Sequence, residues 1–141
     1  MLQELAEADP KNTEYANYLG YSHTYRGWAL VRSGQPFKAA ADLRRAVDLW
    51  AKVPALDIEA RFERSRALVL LAGLGGDAKS GVTKAEAAAF VDQAVAALRE
   101  AIKAGWNGNE LKEPDFNPLR GREDFQELLT ELEAKSGPKA N

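Results

Sequence analysis

Residues Gly73 to Ser80 spell G-x-x-x-x-A-K-S, one substitution away from a loop that wraps nucleotide phosphates, and Gly73-x-Gly75-x-x-Ala78 comes as near to a dinucleotide fingerprint. Both chemistries need a strand running into the loop, so that backbone N–H groups and a helix N-terminus converge on phosphate. Ahead of this loop, Ile58, Phe62, Ser65 and Val69 stand at helical steps. A helix therefore leads in, and the stretch reads as a glycine-rich turn that binds no nucleotide.

His23 is the sole histidine and the chain has no cysteine. A metal site or a nucleophile and base pair would need a second His, a Cys or paired carboxylates close by, and none accompanies His23 in sequence. A hydrogen-bonded histidine within the packing is the reading that remains. No catalytic residue, metal ligand or cofactor is expected.

Two constellations suit recognition better than catalysis. Arg61, Arg64 and Arg66 crowd one segment, offset by Glu59 and Glu63. Bidentate contacts from Arg61 and Arg64 could hold an acidic or phosphorylated peptide, while the plainer reading is a solvated face paired with its own glutamates. The second is aromatic: Tyr18, Tyr21, Tyr25 and Trp28 follow one another at steps of three, four and three. They could grip a peptide or pack on a neighbouring element.

The elements that carry these residues are all helical. Ala, Leu, Glu, Lys and Arg dominate, and Pro and Gly collect at a few breaks. The first break is Asp9-Pro10-Lys11-Asn12, after which Asn12 or Thr13 can cap a helix over 13–33. Gly34 ends that helix and Pro36 opens the next, over 36–53, with Ala39, Leu43, Ala46, Val47 and Trp50 on its apolar face. So short a connection makes the two antiparallel. Pro54 closes this hairpin.

A second hairpin follows, with one helix over 57–74 and another reaching 104. Thr83 and Glu86 form the capping box that opens the latter, and Gly105 stops it. Residues 107–122 read as a loop with a short turn at Phe116–Leu119, where Phe116 and Leu119 anchor it under a final helix over 123–135. Phe125, Leu128, Leu129 and Leu132 mark the buried face of that helix. The tail 136–141 is expected to fray. A segment of 141 residues suits one domain over 1–135.

Charge is balanced at 19 basic and 21 acidic residues, net −2, and well mixed, so neither nucleic acid nor a membrane surface is an expected partner. The longest apolar run, 67–74, is far below the roughly 20 residues that cross a bilayer. Lack of cysteine suits a reducing compartment, and a cytoplasmic location is expected. Met1 leads directly into an amphipathic stretch, Leu2 to Ala8, with no cap. This reads as the end of a preceding unit, 1–9, inside a larger protein.

Hairpins in series (13–53, and a degenerate one over 56–104) are the mark of a stacked array. Gly27, Gly34, Ala39, Leu43 and Ala46, spaced 7-5-4-3, resemble the tetratricopeptide (TPR) pattern. Ala94, Leu98 and Ala101 keep its four- and three-residue steps, and Leu19-Gly20 looks like its leucine-glycine pair, seven residues ahead of the frame. The resemblance implies an all-α short solenoid with a C-terminal capping helix. It further implies a concave groove lined by Asn17, Tyr21, Thr24, Trp28 and Arg32, and puts His23 where the frame set by Gly20 has a packing tyrosine. The Lys and Asn set with which some TPR proteins clamp a terminal carboxylate is not visible at those positions.

A narrower likeness rests on Leu5-Ala6-Glu7-Ala8-Asp9-Pro10, on Leu19-Gly20-Tyr21-Ser22-His23, and on Pro114-Asp115-Phe116-Asn117-Pro118-Leu119-Arg120-Gly121-Arg122. Together they are similar to the C-terminal helical-repeat region of planctomycete-type bacterial serine/threonine protein kinases. The resemblance implies a non-catalytic module that binds a protein or peptide partner or scaffolds its parent. The kinase's own catalytic motifs are not in this stretch; Ala101-Ile102-Lys103 echoes the kinase lysine but lies on a helix. The alternative expectation is a purely structural segment that stacks on neighbouring repeats, or forms a homodimer through its exposed ends.

Overall fold

The structure, a computed structural model, describes residues 13–53 and 56–136. The expected preceding unit over 1–9, Pro54 and nearly all of the tail lie outside the described residues. Helix α1 spans Thr13–Arg32, α2 Pro36–Ala51, α3 Ile58–Gly73 and α4 Lys84–Lys103. Two 3-10 segments follow, Asn109–Lys112 and Pro114–Leu119, before α5 over Glu123–Ser136. No strand occurs among the described residues. The all-α class stands, and the region read as a loop with one turn is instead largely 3-10 helical.

The helix starts follow local chemistry. Pro36 occupies the first turn of α2, where its missing N–H costs nothing. The Asp57 carboxylate accepts from the Ala60 amide at 2.8 Å and opens α3. At α4 both arms of the capping box form: Thr83 Oγ1 accepts from the Glu86 amide at 3.0 Å, and Glu86 Oε1 accepts from the Thr83 amide at 3.0 Å.

Helix α1 packs chiefly on α2 and α3 on α4, while α3 also touches α1, α2 and the second 3-10 segment. The apolar interior accordingly has two parts. Ala39, Leu43, Ala46 and Trp50 meet Ala60, Ala67 and Leu71 in the first. Phe62, Leu68 and Val69 meet Leu98, Ala101, Trp106, Phe116, Leu119, Phe125 and Leu128 in the second. Helix α3 thus gives one flank to each part and is mostly buried.

Along the α1–α2 seam, Gly20, Thr24 and Gly27 form the buried stripe of α1. A Cβ on Gly27 would sit 2.6 Å from Leu43 Cγ, and one on Gly20 would collide with the Trp50 indole. Only glycine lets these helices approach so closely. On the far side, Arg44 of α2 forms a bidentate pair with Glu86 of α4 at 3.1 and 3.3 Å and lies over Phe90, tying the hairpins together.

Candidate functional site

The residues expected to line a groove divide between two faces of α1. Thr24 is fully buried in the seam, and its hydroxyl donates to the Gly20 carbonyl at 2.8 Å, so it offers no surface to a ligand. Asn17 Oδ1 accepts the Trp50 indole N–H at 3.2 Å and serves the same seam. Tyr21 is half-buried, edge-on to Trp50 with centroids 5.4 Å apart and stacked on Tyr25 at 6.4 Å. Burial, with Asp57, Glu59 and Glu63 nearby, drives its hydroxyl well above the ordinary tyrosine range.

Trp28 and Arg32 stand together, the guanidinium 4.7 Å from the indole centroid. The Trp28 N–H donates to Asp115 Oδ1 at 3.2 Å, across to the second 3-10 segment. Tyr25 remains 46% exposed, and its hydroxyl donates to Glu63 Oε2 at 3.2 Å. Helix α1, helix α3 and the second 3-10 segment therefore meet at one junction, with Tyr25 and Trp28 on one side and Glu63, Arg66, Glu113 and Asp115 on the opposite side, bridged by the Tyr25–Glu63 and Trp28–Asp115 hydrogen bonds.

Arg66 organises that opposite side. Its Nε lies 3.5 Å from Glu63 and 3.9 Å from Asp115, and a terminal nitrogen donates to Glu113 at 3.1 Å. Its guanidinium covers the Phe62 ring at 5.0 Å. Glu63 is only 5% exposed, and desolvation raises its carboxyl above the usual range although Arg66 and the Tyr25 hydroxyl pull the other way. A buried glutamate in this position loses hydration that a single imperfectly placed arginine does not restore.

Arg61 and Arg64 are elsewhere. At about 100° per residue they fall on the arc of α3 opposite Glu59, Glu63 and Arg66. Arg61 donates to the Leu56 carbonyl at 2.8 Å and pairs with Glu100 of α4 at 3.7 Å. Arg64 is partly buried, which lowers its affinity for a proton. These two cations do not join the aromatic wall; of the arginine cluster, Arg66 alone reaches it.

Sequence spacing does not predict Glu113 and Asp115 as members, because they reach Arg66 across 47 and 49 residues. The overlooked signal was angular: Glu59, Glu63 and Arg66 share one arc of α3 that the arginine count obscures. His23 sits at the α1–α2 interface, its Nδ1 2.8 Å from Asp42 Oδ1, while Arg26 holds the other oxygen at 3.2 Å. This is a tie between two helices.

The glycine-rich loop is closed on itself. A helix, α3, runs into it, and buried Ser80 donates to the Leu74 and Asp77 carbonyls at 2.9 and 2.8 Å while accepting from the Val82 amide at 3.0 Å. Its hydroxyl is committed to the turn. Among the described residues no three His, Asp or Glu side chains converge as metal ligands. Nor is any described helix long and apolar enough to cross a membrane.

Comparison with protein-family models, with curated proteins and with solved structures found no match.

Proposed function

We propose that the chain is a non-catalytic, TPR-like interaction module that receives a protein or peptide partner on the surface where α1, α3 and the second 3-10 segment meet. In this reading α1 with α2 and α3 with α4 are successive hairpins of a short solenoid. The 3-10 segments stand in for the first helix of a third pair, and α5 caps the array. The module would serve as the C-terminal repeat region of a bacterial serine/threonine protein kinase, in the cytoplasm.

One observation carries the proposal: Tyr25 and Trp28 present aromatic surface beside charged groups that their own neighbours only partly satisfy. Aromatic anchors ringed by polar groups are the usual core of a binding site. Selection of a random peptide display library on the chain should enrich binders that Trp28→Ala loses. Enrichment that is indifferent to Trp28→Ala and to Tyr21→Ala would remove this surface as the site. The sequence of the full gene product tests the kinase assignment directly.

A second reading, a segment that only stacks on like neighbours, draws on Tyr18 and Phe37, which are 61% and 69% exposed. Sedimentation over a range of concentrations separates the two. Concentration-dependent association lost in Tyr18→Ser or Phe37→Ser would favour stacking, and a stable monomer favours the peptide site.

A further inference from the structure

Phe37, in the first turn of α2, is 69% exposed, the most open large apolar side chain among the described residues. Its ring rests against the α3–α4 loop, where a Cβ on Gly81 would stand 3.7 Å away. Beside the ring opens a cavity of about 290 Å³ lined by Gln35, Pro36, Phe37, Lys38 and Lys79. The loop wall is fixed, because Ser80 bonds across the turn and the Lys79 amide donates to Asp77 Oδ1 at 2.9 Å. No carboxylate lines the cavity, and neither lysine ammonium is ion-paired among the described residues. Asp42 of α2 and Glu86 of α4 are already held, the first by His23 and Arg26, the second by Arg44. No side chain caps α2, so the positive end of its dipole adds to the charge of the two lysines.

We infer that this notch docks an acidic peptide segment of a partner protein, with an apolar side chain seated on Phe37 and Pro36 and flanking carboxylates answered by Lys38 and Lys79. The inference goes beyond the surface around Trp28, to which it adds a second surface with its own ligand chemistry. An open aromatic ring between cations that lack counter-charges is complementary to an apolar residue set among acids. A membrane suits the notch poorly, because a single ring gives little insertion and the chain carries net charge −2. A second copy suits it poorly too. The acidic helix α5 buries Phe125 and Leu128, and its Asp124, Glu127 and Glu131 already face Arg122 and Arg99.

The test uses the full chain and three fluorescein-labelled Gly/Ser peptides, whose cores are Asp-Leu-Glu, Lys-Leu-Lys and Asp-Ser-Glu. Fluorescence anisotropy should rank the first tightest, about tenfold ahead of the lysine peptide at low salt, with that gap shrinking as salt rises. It should also lead the serine peptide about fivefold, for the lost apolar contact. Phe37→Ser, and the double variant Lys38→Gln with Lys79→Gln, should each weaken the Asp-Leu-Glu peptide about fivefold. Lys103→Gln, in the last turn of α4, should leave it unchanged, and circular dichroism checks the fold of each variant. Equal binding of the three peptides, no binding at all, or binding that ignores Phe37→Ser or the lysine pair overturns the inference. So does self-association that Phe37→Ser abolishes, which gives the notch to a second copy. Capture of the chain by phosphatidylserine vesicles that the double variant loses gives it to a membrane and overturns the inference as well. Library selection against Trp28→Ala reports on the other surface, so either assignment can fall without the other.

Discussion

The Trp50 indole lies against the bare Cα of Gly20, filling the space that a side chain there would need, and its N–H is held by Asn17 one turn earlier. Gly20→Ala must therefore push the indole aside. An alanine in a helix ordinarily gains about 0.5–1 kcal/mol over glycine, whereas overpacking a closed seam costs about 1–3 kcal/mol, so net destabilisation is expected. Urea unfolding measures it. In a Trp50→Leu background the penalty should shrink, since the collision is gone; an equal penalty in both backgrounds would mean that Gly20 matters for some other reason.

Leu43 occupies the matching place against Gly27 and is wholly buried. Leu43→Ala leaves a cavity between α1 and α2 and should cost about 2–5 kcal/mol. The urea midpoint should fall with an unchanged slope if the native state keeps its compactness.

How much of this was legible beforehand depends on the range of each interaction. The Thr83–Glu86 box, the Gly34 turn and the Gly27 to Ala46 seam are local or strictly periodic, so residue types alone locate them. Thr24 was misplaced because a wheel assigns an arc but not the crossing of two helices; contact with α2 draws it into the seam, where its hydroxyl bonds back along α1. The junction of α1, α3 and the 3-10 segment was half visible. The aromatic steps single out Tyr21 and Trp28 and the TPR resemblance adds Arg32, whereas Arg66 with Asp115, and Trp28 with Asp115, meet only because α3 and the 3-10 segment fold alongside α1. Nothing periodic links residues so far apart.

Those long-range contacts set the stability of the 3-10 segment. Asp115→Ala removes the Trp28 acceptor and one partner of Arg66, a loss of about 1 kcal/mol for a partly buried hydrogen bond of this kind. Amide exchange should accelerate at residues 114–119 well before it does in α2. Uniform acceleration throughout the chain would show that the segment is no separate unit.

The α4 cap offers a cleaner measurement, because its bonds are exposed and few. Thr83→Ala deletes the acceptor for the Glu86 amide and should destabilise by about 1 kcal/mol. Glu86, held below the usual carboxylate range by the Thr83 amide and Arg44, contributes stability above its unfolded pKa that disappears as pH falls through the depressed folded value. Urea midpoints of Glu86→Gln and wild type should therefore converge under strongly acidic conditions. A gap that persists there would place the effect of Glu86 in packing over charge.

Glu63 should behave in the opposite sense. Its folded pKa is raised, chiefly by burial, so its favourable contribution is complete below the unfolded glutamate value of about 4.3 and is lost as pH rises through the folded one. Glu63→Gln keeps an acceptor for the Tyr25 hydroxyl but never ionises. Other carboxylates titrate alike in both proteins and cancel in the difference. The stability of Glu63→Gln relative to wild type should then climb with pH above the mid-fours and level off once Glu63 is fully charged. Urea unfolding of both proteins at a series of pH values measures the difference. A stability difference that is flat or falls with pH would show that Arg66 outweighs burial and that Glu63 is already satisfied.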